Sequence, residues 1–160
     1  MANHGFLIFK SNIKLNEISK ILQEINENRF KNKLIITFHE GDQSWFIEYQ
    51  SPTRLGCPGF RIWKRSPRKL EFRHPYGKWM PYVMTVFIET LSFKMNSIIS
   101  DEGTNNKWIG DPNNYCSFKQ WSGDFYPKNC DYISIVDKIF SINSFIESDL
   151  EDAPEELRDC

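Results

Sequence analysis

Residues 79–96 read WMPYVMTVFIETLSFKMN, and their spacing predicts a helix of an uncommon kind. Pro81 stands near its start, where a missing N–H costs little. Thr85, Glu89, Ser92 and Asn96 recur at helical spacing as a narrow polar stripe. Nearly everything else is apolar: Tyr82, Val83, Met84, Val86, Phe87, Ile88, Leu91, Phe93 and Met95. A surface helix needs only one apolar face, whereas a helix apolar on most sides is a central one. This stretch therefore predicts a helix packed across a sheet and covered again by later elements.

The sheet is legible on its N-terminal side. Residues 5–9 read as a short buried strand. Residues 14–25 follow as an amphipathic helix with Leu15, Ile18, Ile21, Leu22 and Ile25 on one face, ended by Asn26, Asn28 and their charged neighbours. Residues 33–38 alternate Leu34, Ile36 and Phe38 against Ile35 and Thr37. After the turn His39-Glu40-Gly41-Asp42, residues 44–49 alternate Trp45, Ile47 and Tyr49 against Phe46 and Glu48, which predicts a hairpin. A second hairpin is predicted from residues 60–65 and 69–74 around Ser66-Pro67-Arg68. Phe60, Ile62, Leu70 and Phe72 supply one of its faces, and Arg61, Trp63, Arg65, Glu71 and Arg73 the other. Short loops between consecutive strands favour an antiparallel meander.

Beyond the central helix the pattern thins. Ile98-Ile99 reads as a short strand ended by Ser100-Asp101-Glu102-Gly103. Residues 104–129 read as irregular and ring-rich, with one short helix around residues 117–121, and residues 132–140 as a last amphipathic helix. The expected architecture is a single α+β domain over residues 1–146: an antiparallel sheet of about five strands with the mostly apolar helix packed on it. Residues 147–160 are expected to form an acidic tail.

Composition narrows the class. The 160 residues carry a formal net charge of -1, 40% hydrophobic residues and 15% aromatics, which is globular and not disordered in character. The longest apolar run is broken by Pro81, Glu89 and Lys94, so no membrane span is expected. Cys57, Cys116, Cys130 and Cys160 form no C-x-x-C pair. With no secretory leader in the first residues, free thiols in a reducing cytoplasm are expected. There is no Gly-rich phosphate loop, G-x-S-x-G, H-E-x-x-H or dinucleotide fingerprint, so no catalytic residue or cofactor is assigned.

The small net charge hides a segregation of signs. Arg54, Arg61, Lys64, Arg65, Arg68, Lys69, Arg73 and Lys78 face the single acid Glu71 over residues 54–78. Glu147, Asp149, Glu151, Asp152, Glu155, Glu156 and Asp159 face the single base Arg158 over residues 147–160. Such segregation points to partners, or to one end of the chain screening the other.

Four constellations follow. Arg61, Trp63, Arg65 and Arg73 mix guanidinium groups with a ring on one sheet face, the chemistry of a phosphate-tracking, base-stacking surface; the plainer reading is a wet face carrying solubilising charge. The acids of the tail suit a basic cleft on a partner, or the chain's own basic hairpin, against the plainer reading of a solvated terminus. His39, Asp42, Asp101 and Glu102 sit in two acid-glycine turns and would suit a divalent metal and acid–base hydrolysis if they met; turns favour such residues in any case. Trp108 and Trp121 are candidate partner anchors within a ring-rich segment whose structural duty would be to cover the central helix. His74, before Pro75, reads as a strand cap.

The hairpin of residues 34–38 and 45–49, the basic hairpin, and the helix of residues 79–96 running into Ile98-Ile99-Ser100-Asp101-Glu102-Gly103 resemble in layout the small cytoplasmic immunity proteins of bacterial toxin systems. They are similar in character also to phage-encoded inhibitor proteins. An Asn-, Ile- and Lys-rich composition suits an AT-rich bacterial or phage genome. The resemblance implies a non-enzymatic protein that occludes a toxin or host factor, with the acidic residues Glu147, Asp149, Glu151, Asp152, Glu155 and Glu156 facing the partner and Trp108 and Trp121 as anchors. Nucleic-acid or nucleotide binding through Arg61, Trp63, Arg65 and Arg73 is the alternative, and metal-assisted hydrolysis a third.

Overall fold

A computed structural model describes residues 4–49, 59–75 and 80–113. They form one seven-stranded sheet, antiparallel at every pairing, with two helices. In chain order the elements are β1 (His4–Ile8), α1 (Leu15–Phe30), β2 (Leu34–His39), β3 (Ser44–Tyr49), β4 (Gly59–Ser66), β5 (Lys69–Arg73), α2 (Met80–Met95), β6 (Ile98–Asp101) and β7 (Asn106–Ile109). The order across the sheet is β2-β3-β4-β5-β1-β6-β7. The α+β class is as expected, with two strands more than the five read from the sequence. The addition that the sequence did not suggest is β7, which lies in the stretch read as irregular.

The period-two alternation of the strands sends one set of side chains inward. Leu7, Leu34, Trp45, Ile47, Phe60, Ile62, Leu70, Phe72 and Ile99 are buried with Ile18, Leu22, Ile25 and Phe30 of α1 and most of α2. Phe87 of α2 stacks on Phe30 with centroids 5.3 Å apart and meets Phe60 edge-on at 5.7 Å, joining both helices to the sheet. Trp45 donates its indole N–H to Ser19 Oγ at 2.8 Å, so the largest buried ring leaves no polar atom without a partner.

Helix α1 outruns its expected end by more than a turn, and Asn26 is the reason. Read as a terminator, it is instead buried, its amide donating to Leu34 O at 2.8 Å and accepting from Leu34 N at 3.2 Å. The side chain thus replaces a backbone partner for the first residue of β2. The helix closes with Lys31 and Asn32 in the left-handed region, at φ 52° and 60°, both backbone N–H groups returning to Asn26 O.

Helix α2 is buried around its circumference from Met80 to Ser92, as its composition demands. Its polar stripe is a docking rail. Glu89, fully buried, accepts from Trp108 Nε1 at 3.1 Å and from Asp111 N at 2.8 Å. Ser92 Oγ donates to Ser97 O and accepts from Gly110 N at 2.7 Å. Gly110 packs so closely that a Cβ there would lie 2.5 Å from Glu89 O. Two polar residues on one helix face therefore fix where the chain after β7 runs, which no local propensity could announce.

Candidate binding face

The opposite face of the sheet carries no helix among the described residues. It is assembled by register alone. Phe46 lies beside Arg61, Trp63 beside Glu71, and Glu71 beside Phe6, all pointing away from the helices. The four basic-hairpin residues singled out in the sequence come together here, with Trp63 at their centre. The guanidinium carbons of Arg65, Arg73 and Arg61 stand 5.0, 5.2 and 5.9 Å from the Trp63 ring. Arg61 also lies 5.2 Å from the Phe46 ring, and the Lys69 ammonium 4.6 Å from the Phe6 ring. Cation–ring contacts of this kind contribute about 0.5–1 kcal/mol each when exposed and more when desolvated.

Two carboxylates hold the cations in place. Glu71, largely buried, accepts from Arg65 Nε. At the other end Asp42 Oδ1 accepts from Ser44 Oγ at 2.7 Å, Ser44 Oγ accepts from Arg61 at 3.2 Å, and Arg61 pairs with Asp42 Oδ2 at 3.5 Å. The Ser44 hydrogen bond, with Arg61 and then His39 nearby, holds the Asp42 carboxyl below its ordinary value. These contacts fix the orientation of two guanidinium groups.

One row of this face is apolar. Register aligns Lys69 with Ile8, Ile8 with Ile98, and Ile98 with Ile109, and Ile109 is exposed. A cationic, ring-bearing half on β3, β4 and β5 therefore continues into a row of three isoleucines on β1, β6 and β7. Sequence reasoning found Arg61, Trp63, Arg65 and Arg73 because they alternate within one hairpin. It missed Phe46, which meets Arg61 across the β3–β4 pairing, and it missed Phe6 under Lys69 and the isoleucine row, because these depend on β1 lying between β5 and β6.

The four residues of the hydrolase reading are not brought together. Phe38, Trp45, Ile62, Phe72, Gly5 and Asp101 form one row across six strands. At about 4.8 Å per strand, the His39–Asp42 turn and Asp101 stand roughly 24 Å apart. Each acid is also engaged elsewhere: Asp42 with Arg61, and Glu102 with His4 at 2.7 Å. Asp101 accepts from Thr104 Oγ1 at 3.0 Å and lies 3.4 Å from His74 Nε2. No group of three or more His, Cys, Asp or Glu suited to a metal occurs among the described residues. His74, read as a strand cap, follows the end of β5 as a buried partner of Asp101.

Trp108 is partly buried on β7, packs against the core and turns its N–H inward to Glu89. Its polar tip thus serves the fold. Trp121, the four cysteines, the expected helix of residues 132–140 and the acids Glu147, Asp149, Glu151, Asp152, Glu155 and Glu156 lie outside the described residues. No helix among those described is long and apolar enough to cross a membrane. No family model, no curated protein and no solved structure matches the chain.

Proposed function

We propose that the protein is a non-enzymatic binder of another protein, of the immunity or inhibitor type, and that the outer sheet face is its contact surface. One observation carries this: Trp63 ringed by Arg61, Arg65 and Arg73, beside a row of isoleucines, on a face that carries no helix among the described residues. Tryptophan and arginine dominate interface hot spots, and their contribution grows when their rotamers are set in advance. The partner suited to this face presents carboxylates for the guanidinium forks, flanked by apolar side chains for the isoleucine row.

The same residues fit single-stranded nucleic acid less well. A stacking platform needs free ring faces. Here Trp63, Phe46 and Phe6 each already have one of the protein's own cations within 6 Å of the ring, and Glu71 and Asp42 offset part of the positive charge.

The test is affinity capture of the full chain from its source cells beside Arg61→Glu and Arg73→Glu variants, together with a labelled single-stranded oligonucleotide titrated at rising salt. A defined protein captured by the parent chain and lost with either variant is expected. A complex indifferent to both variants, or oligonucleotide binding that falls steeply with salt, would overturn the reading.

A further inference from the structure

β2 ends the sheet, and among the described residues it pairs with β3 alone. An antiparallel strand turns its backbone N–H and C=O groups to one neighbour and then the other, residue by residue. Gln43, just before β3, gives its C=O to Lys64 N at 3.0 Å on the β4 side. Ser44, Phe46 and Glu48 therefore turn theirs to β2, where they meet His39, Thr37 and Ile35. Leu34, Ile36 and Phe38 turn outward. Asn26 marks the same parity, since its side chain takes both backbone groups of Leu34. Those of Ile36 and Phe38 meet no strand among the described residues. Edge strands are commonly guarded by charge, proline or a bulge. β2 has no Asp, Glu, Lys, Arg or Pro, keeps unbroken register with β3, and exposes Ile35 and Phe38.

We propose that β2 pairs antiparallel with β2 of a second copy of this chain, about a twofold axis at Thr37. The proposal is independent of what the outer face binds. Register supports this occupant first. With Asn26 holding Leu34, only Ile36 and Phe38 have outward groups to share. Setting Ile36 opposite Phe38 of the second copy satisfies both residues in each chain, with Thr37 facing Thr37 and Ile35 facing His39. Charge supports it second. Lys31 and Lys33 precede β2, and Glu40 and Asp42 follow it. An antiparallel copy sets each basic flank beside an acidic one, whereas a parallel copy sets like beside like. Paired residues point to the same side of a sheet, so the axis stands perpendicular to it and both Trp63 clusters are presented together. Two short strands bury little area, so the dimer is weak, with a Kd on the order of 100 µM.

The test is sedimentation of the full chain over a range of about 5 to 500 µM, where the mass is expected to move from one copy towards two. Amide hydrogen exchange at Ile36 and Phe38 is expected to slow about fourfold across the same range. Thr37 is exposed and can be changed with little cost to the core. Thr37→Lys sets two ammonium groups opposite each other and Thr37→Glu two carboxylates. Each is expected to weaken self-association about fivefold, and an equimolar mixture of the two to restore it as a mixed dimer. That rescue also shows that both variants fold. Three results overturn the proposal. One is a chain that stays single up to about 1 mM. Another is association indifferent to both variants, or not restored by mixing them. The third is Ile36 and Phe38 amides equally protected at every concentration, which would mean that the chain covers its own edge.

Discussion

Trp45 and Trp63 sit on neighbouring strands, on opposite faces of the same sheet, and have opposite duties. Trp45 is fully buried, surrounded by core side chains, with its N–H given to Ser19. Trp63 is only partly buried and its ring is edged by three guanidinium groups. One ring gains its free energy by leaving water and the other keeps part of its surface available. On the reading proposed for the outer face, alternation within a single antiparallel sheet separates the positions that hold the core from those that would meet a partner.

The comparison breaks most directly at Trp45. Trp45→Ala should cost about 3–5 kcal/mol of stability, the usual range for emptying a core ring site, read as a shifted denaturant midpoint. Trp63→Ala should cost about 1.5–3 kcal/mol of stability, from its three cation–ring contacts, yet weaken the partner complex by more than about 2 kcal/mol, some thirtyfold in affinity by titration calorimetry. If Trp63→Ala destabilises as much as Trp45→Ala, the outer ring is core and the division of labour fails. Ser19→Ala sharpens the inner half: it leaves the Trp45 N–H without its acceptor and should cost about 1–3 kcal/mol, with partner affinity unchanged.

The smallest effect is at Asp42. Its carboxyl is held below its ordinary value of 3.8 in the folded protein, so the folded state favours the ionised form. That contribution is fully present above the ordinary carboxylate range and is lost as pH falls through the lowered value. The difference in denaturant midpoint between the parent and Asp42→Asn should therefore be measurable at pH 7 and shrink as pH falls below about 4. A difference that stays constant from pH 7 to pH 2.5 would separate the Ser44–Asp42–Arg61 network from any electrostatic role.

What could be read from the sequence follows from what is local. The β2–β3 and β4–β5 hairpins declare themselves by alternation and short turns, and α2 by an apolar surface too wide for a surface helix. The basic cluster was legible for the same reason, since Arg61, Trp63, Arg65 and Arg73 alternate within one hairpin. β7 was not. Asn106-Lys107-Trp108-Ile109 has little strand character of its own, and its position comes from Glu89 and Ser92 on α2. The last turn of α1 was hidden likewise, because Asn26 favours a helix end until Leu34 supplies both of its hydrogen bonds. The metal reading failed on distance: two similar turns lie on opposite flanks of a sheet whose strand order is not the chain order.

That strand order also sets a timetable. β1 is the one strand joining the β2–β5 meander to the β6–β7 hairpin, with Leu7 opposite Leu70 on one side and Ile99 on the other. It leaves the ribosome before the other six described strands, and β6, its second neighbour, comes after β2 to β5. At about 5–20 residues per second it waits roughly 5–20 s for both edges to be synthesised. The meander can form in that interval, and the sheet closes only when the oldest strand inserts between two younger ones. Until then Leu7 has nowhere to hide, which makes this early segment a natural client for whatever shields nascent chains.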